Sequence, residues 1–160
     1  MNPVVVAVVV TFNRKVLLLE ALTQLAKQSY ALNKIILINN ASTDGTEDLL
    51  KEQGWLENPL LDYHLLEKNI GGAGGFNRGM AIANQTNADW VWIMDDDSIP
   101  QDDALVQLLL ANERLLTQKL EPVILASRVN WSDGSPHPMN FPSIRRDNWE
   151  HLYISLANRC

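Results

Sequence analysis

The chain opens with an unbroken apolar run, Val4–Val10, dominated by β-branched residues. Such a run predicts a strand buried on both faces. The period then changes. Across Arg14–Tyr30, Leu18, Leu22 and Leu25 recur at helical spacing, with Leu17 and Ala21 beside them and Asn13 as the expected N-cap. Ile35–Ile38 predicts a second buried strand, followed by a break at Asp44-Gly45 and a short helix to Gln53. Leu60–Leu66 predicts a third strand, and a glycine-rich loop then leads into a helix through Met80 to Asn84. Trp90–Met94 predicts a fourth strand. After Pro100 a helix is expected to Thr117, with Asp102 and Asp103 in its first turn, and Val123–Val129 predicts a fifth strand. Beyond it Pro136, Pro138 and Pro142 interrupt regular structure, and only a short helix near Trp149–Leu156 is suggested. The alternation implies an α/β fold, a mostly parallel sheet with helices on both faces.

The polar segments fall at one edge of that sheet. Thr11-Phe12-Asn13-Arg14 follows the first strand, Asn39–Gly45 the second, Glu67–Gly75 the third and Asp95-Asp96-Asp97 the fourth. Open parallel sheets bind ligands outside the carboxyl ends of their strands, so four such segments at one edge predict a single site. Composition narrows the ligand. The 160 residues are 46% apolar and 20% charged, a globular balance with room for one core. A net charge of −6 argues against a nucleic-acid-binding surface. The single cysteine, Cys160, allows no intrachain disulfide and fits a reducing compartment. Val4–Val10 is too short to span a bilayer, and no basic leader or cleavage site marks a signal peptide.

The acidic triplet is the sharpest chemical feature. Trp90-Val91-Trp92-Ile93-Met94 reads as a core strand that delivers carboxylates straight to the ligand edge. Alternation along extended backbone places Asp95 and Asp97 on one side and Asp96 on the other. Two convergent carboxylates repel unless a cation lies between them, and oxygen ligands suit Mg2+ or Mn2+ with ligand phosphates completing the shell. The glycines of Gly71–Gly75 let backbone approach a ligand closely. Arg78, expected one turn into the next helix, could pair with a diphosphate. Arg14 opens a helix whose macrodipole it opposes, which favours a ligand role. No HExxH, Cys/His cluster, GxSxG or phosphate-loop motif is present, and the glycines do not form the dinucleotide fingerprint. His64 reads as structural, and Trp131 is a weak candidate for stacking on a sugar.

Four blocks occur in order: Val10-Thr11-Phe12-Asn13-Arg14, Asn39–Thr46, Asn69–Met80 and Met94-Asp95-Asp96-Asp97. Together they closely resemble family 2 glycosyltransferases of the GT-A fold, over roughly residues 3–130. Gly-Gly-Ala-Gly-Gly-Phe-x-Arg-Gly-Met resembles the galactofuranosyl- and rhamnosyl-transferase branch. The resemblance implies that residues 1–130 form the nucleotide-sugar-binding domain and that 131–160 begin an acceptor-side region. It implies a UDP- or dTDP-sugar donor, a divalent cation (Mn2+ or Mg2+), a glycan or lipid-linked acceptor, and inverting transfer in cell-surface polysaccharide synthesis. Thr11 and Arg14 would line the nucleotide pocket. Asn39 stands where the family usually has an aspartate contacting uracil or ribose, which leaves base preference open. Asn69, Gly71, Gly72 and Arg78 would border the diphosphate and sugar. Asp95 and Asp97 would hold the metal, with Asp96 near the donor. No general base is recognised: Asp133, Asp147 and Glu150 are the only acids after Glu121, and the second acidic motif of the family is not found, so a truncated chain is expected. A non-catalytic nucleotide-sugar-binding module and, with less support, a metal-dependent nucleotidyltransferase are the alternatives. The expected setting is cytoplasmic, at or near the inner face of the membrane, with peripheral attachment and self-association both left open.

Overall fold

The computed structural model describes residues 2–131 and 133–137. The chain divides into two compact units, Met1–Pro100 and Gln101–Cys160. The first holds an all-parallel sheet of β1 (Val5–Thr11), β2 (Lys34–Asn39), β3 (Leu61–Leu65) and β4 (Trp90–Asp95), in the order β3-β2-β1-β4. Helices α1 (Lys15–Ala26), α2 (Thr46–Glu52) and α3 (Gly71–Ala83) connect them. Right-handed crossovers place α1 and α2 on one face and α3 on the other, because the path reverses direction between β3 and β4. The second unit contains α4 (Ala104–Thr117), which follows an N-cap at Asp103.

The core follows from the β-branched runs. Every residue of β1 is buried, as are Ile35–Asn39 of β2. Val6, Val8, Val10, Ile36 and Ile38 form one cluster under α3 with Ala83, and Phe76 and Ile82 pack against it. The helix comes this close because Gly75 and Gly79 face the sheet. A Cβ on Gly75 would stand 2.6 Å from Val10 Cγ1, and one on Gly79 2.3 Å from Val8 Cγ1.

Several expectations are corrected. The glycine-rich segment is not a loop that precedes a helix: Gly71 already begins α3, and only Gly71 among these glycines takes a positive φ, +77°. The other glycines are helical, and Gly75 and Gly79 serve packing. α1 starts at Lys15 and ends at Ala26, with Arg14 rather than Asn13 as N-cap, because Asn13 adopts a left-handed φ of 55° and turns its side chain elsewhere. β4 is no fully buried core strand. It pairs with β1 alone among the described residues, and Val91, Ile93 and Asp95 are exposed. Val123–Val129 forms no strand; an isolated bridge joins Asn130 to Pro136, and Val123 and Ile124 are exposed. A β-branched run favours extended backbone but supplies no partner for its hydrogen bonds. The helix suggested near Trp149–Leu156 lies outside the described residues.

Candidate functional site

The carboxyl ends of the four strands meet at one edge because the register sets Thr11 beside Asn39, Val10 beside Asp95 and Asn39 beside Leu65. Side-chain bonds tie the loops that leave them. The Thr11 hydroxyl donates to Asp96 Oδ2 at 2.6 Å, which joins the end of β1 to the acidic triplet. The Arg14 guanidinium donates to the Asp97 carboxylate and lies 3.6 Å from Asp96 Oδ1. Thr11, Arg14, Asp96 and Asp97 therefore form one connected group, drawn from the ends of β1 and β4.

Within the triplet the three carboxylates have different surroundings. β4 ends at Asp95, and the chain turns there, with Ser98 N–H donating back to the Asp95 carbonyl. Strand alternation therefore does not extend through Asp97. Asp96 is buried, while Asp95 and Asp97 are exposed. Burial pushes the Asp96 carboxyl above its ordinary value, against the Thr11 hydroxyl and the Arg14 charge, which favour ionisation.

Asparagines organise the loops after β1, β2 and β3. Asn40, also buried, donates through Nδ2 to the Gly71 carbonyl at 3.1 Å and accepts the Ile70 N–H at 2.9 Å, which clamps the start of α3 to the end of β2. Asn69 Oδ1 accepts the Gly71 N–H at 2.8 Å. Asn13 accepts the Thr43 N–H, and its own N–H goes to Ser42 Oγ. Asp44 accepts from Thr46 and from Lys15 N–H, and Lys15 Nζ donates to the Asp44 carbonyl. Burial alone would raise the Asp44 carboxyl, but these donors hold it below its ordinary value. Sequence reasoning singled out neither Asn40 nor Lys15; the bonds of each span about thirty residues, beyond any local pattern.

The remaining candidates are placed as follows. Gly71 and Gly72 are exposed at the start of α3, and a Cβ on either would meet no atom within 4 Å. The first N–H groups of a helix lack intrahelical partners and face an anion readily. Arg78 is exposed, two turns into α3 rather than one because the helix starts earlier, roughly 10 Å along the axis from Gly71. Trp131 packs its ring against His137 at 4.2 Å between centroids. Asp133 accepts both the N–H and the hydroxyl of Ser135, which hold its carboxyl below the ordinary value. Asp147 and Glu150 lie outside the described residues.

Residues 6–149 match the model of glycosyl transferase family 2. The chain belongs to that family. It is 36% identical over 156 residues to galactofuranosyltransferase GlfT1 of Mycolicibacterium smegmatis, covering 96% of this chain and 48% of the relative. To GlfT1 of Mycobacterium tuberculosis it is 35% identical over 126 residues, covering 78% and 40%. The chain thus spans about half, or less, of the length of the curated relatives it matches. Among solved structures it resembles the mannosyltransferase PcManGT of Pyrobaculum calidifontis in complex with GDP-Man and Mn2+, with a TM-score of 0.61 and 25% identity over 82% of this chain and 36% of that one. S. aureus TarS 1–349 in complex with UDP-GlcNAc shares the fold, with a TM-score of 0.58 and 23% identity over 69% and 31%. The α/β, GT-A reading of the fold and the galactofuranosyltransferase-like reading of the family both stand.

Proposed function

We propose that this chain is the donor-binding part of an inverting glycosyltransferase, taking a uridine or deoxythymidine diphosphate sugar at the carboxyl edge of the sheet. The observation that carries this is the bonded group Thr11–Asp96 and Arg14–Asp97, which gathers a guanidinium and carboxylates at the same carboxyl edge of the sheet that leads into α3. The helix N–H groups at Gly72 and beyond suit a diphosphate, and Arg14 and Arg78 supply positive charge for it. Thr11 and Asn69 fix the loops around the donor, and Asn39 lies beneath the base end.

The donor set fits a divalent cation. Asp95 and Asp97 are exposed carboxylates, and Asp97, bonded to Arg14, would exchange that partner for the ion; no group of three histidine, cysteine or carboxylate side chains among the described residues could hold an ion alone. Mg2+ and Mn2+ commonly take one or two carboxylates plus phosphate oxygens. When bound, such an ion neutralises the charge of the departing nucleoside diphosphate. Asp96 would hold the donor from its buried position, bonded to Thr11. Transfer also needs a base for the acceptor hydroxyl. Asp133, with its carboxyl held low by Ser135, is poorly suited to that task. A glycan or lipid-linked acceptor and a cytoplasmic setting near a membrane belong to the same proposal; no helix among the described residues is long and apolar enough to cross a membrane.

Calorimetry with UDP, dTDP and their sugars, with and without Mn2+, tests the reading. The wild-type chain should bind at least one of them, more tightly with Mn2+ present. Asp95→Asn and Asp97→Asn should remove most of the metal dependence; Asp96→Asn should keep it and weaken nucleotide binding instead. No binding to any of these nucleotides would sink the proposal, and equal effects from all three substitutions would undo the division of roles.

A further inference from the structure

Asn39 is almost wholly buried at the end of β2, and its two polar atoms are already engaged. Its Oδ1 accepts the Ser42 N–H at 2.8 Å. A backbone N–H can only donate, so this contact fixes which way the amide points. Nδ2 therefore faces Tyr63, 2.9 Å from its hydroxyl oxygen. An amide nitrogen can only donate as well, so the Tyr63 oxygen must accept. The one hydroxyl proton is then left for Glu47 Oε2 at 3.1 Å, in the first turn of α2. The direction of every bond in this chain follows from the first. Burial, opposed by Asn39 and reinforced by Glu47, pushes the Tyr63 hydroxyl up to about 12, so it keeps its proton.

We propose that Tyr63 and Glu47 are positioning residues for the nucleotide pocket, and that Asn39 and Glu47 are a matched pair whose compatibility is set by the single hydroxyl proton of Tyr63. An aspartate at 39, the residue usual in the family, would present acceptors only. It would compete with Glu47 for that proton: the Tyr63 hydroxyl would turn to the aspartate, the exposed Glu47 would lose its donor, and an ionised carboxylate would take the buried place of a neutral amide, which is where the cost falls. With Glu47→Gln added, the chain can run the other way: the new amide donates to the Tyr63 oxygen, and the Tyr63 hydroxyl donates to the aspartate carboxylate at position 39. Asn39 in turn holds the turn at Ser42, which carries the Asn13 contact at the mouth of the site.

This inference rests on the proposal that a nucleotide binds at this edge, and the test separates the two. UDP affinity with Mn2+ and thermal melting are measured for the wild type, Asn39→Asp, Glu47→Gln, the double variant, and the same set carrying Tyr63→Phe. Asn39→Asp should weaken UDP binding by roughly tenfold and lower the melting temperature. Glu47→Gln alone keeps an amide oxygen that can accept the Tyr63 proton, so it should weaken binding measurably but by less than Asn39→Asp does. The double variant should recover most of both losses, and Tyr63→Phe should abolish that recovery. If Asn39→Asp does not fold, folding of the double variant is itself the rescue. Losses in the double variant equal to those of Asn39→Asp, a silent Asn39→Asp, or rescue that persists with Tyr63→Phe would overturn the inference. If the wild type binds no nucleotide, the donor reading fails, and the melting cycle alone still decides whether 39 and 47 are coupled through Tyr63.

Discussion

β1 and β4 are neighbours in one parallel sheet, yet the fold treats them differently. β1 is buried along its whole length, flanked by β2 and β4 and covered by α3 through Gly75 and Gly79. β4 pairs only with β1 among the described residues and exposes Val91 and Ile93 on the face it shares with Val6 and Val8. The candidate site takes residues from both. Thr11 and Asn39 stand on strands locked by packing, whereas the acidic triplet stands on a strand that is half open. Close-packed interiors are poorly compressible and hold side chains in rotamer minima, so the β1–β2 side forms the rigid floor of the site. The β4 side is held mainly by the polar bonds of Thr11 and Arg14 to Asp96 and Asp97.

The largest contrast should be seen in core truncation. Ile36 is fully buried under α3, so Ile36→Ala should cost about 2–5 kcal/mol. Ile93, half exposed on β4, should cost below about 1 kcal/mol when truncated to alanine. Urea denaturation of the two variants measures both. Comparable losses would break the comparison, because they would mean that β4 is as well covered in solution as the floor.

A smaller effect separates two kinds of glycine within α3. Gly79→Ala drives a methyl group to 2.3 Å from Val8 Cγ1 and 3.3 Å from Ile38 Cγ1, and overpacking of this kind costs about 1–3 kcal/mol. Gly72→Ala meets open space and should gain up to about 1 kcal/mol from helix propensity. If a diphosphate approaches the backbone there, the same Gly72→Ala variant should bind UDP less well while melting no lower. Equal melting of Gly72→Ala and Gly79→Ala would remove the packing role assigned to Gly79.

These glycines also show where sequence reading stops. Val4–Val10 and Ile35–Ile38 predict buried strands from local composition alone, and the four strands found put the polar segments at one edge, as expected. Gly75 and Gly79 carry no such local sign. Their role is a contact with Val10 and Val8, some seventy residues away in sequence, and Gly75 falls in a stretch that reads as a loop but is helix. Val123–Val129 fails for the opposite reason: its local pattern is strand-like, but a strand is defined by a partner. Asp95-Asp96-Asp97 stands out in the sequence as an acidic triplet at a strand end, whereas the burial of Asp96 against Thr11 depends on where β4 ends. The Asn39–Tyr63–Glu47 chain joins three elements, and only Asn39 stands out in the sequence, through its departure from the family residue.

The smallest effect expected concerns Asp96, where the floor and the rim meet. Burial raises its carboxyl above the ordinary value, so the folded chain holds that proton more tightly than the unfolded one. The sign follows directly: the contribution of this group to stability is present at low pH and is lost as pH rises through the folded value. Once ionised, Asp96 thus costs stability, and Asp96→Asn removes that cost while leaving an oxygen to accept the Thr11 hydroxyl. Arg14 keeps its bond to Asp97, and the exposed side of that pairing contributes little. Asp96→Asn should therefore melt level with the wild type or roughly 1–3 °C above it at pH 7. The difference should shrink as pH falls and the wild-type carboxyl takes up its proton, when it resembles the amide. The same variant should bind nucleotide more weakly, the opposition expected when a buried charge is kept for a ligand rather than for the fold. Melting scans from about pH 3 to pH 8, spanning the carboxylate range, in parallel with UDP titrations would measure both. A variant that is less stable than the wild type by the same margin at every pH would show that hydrogen-bond geometry, not the buried charge, governs the junction between β1 and β4.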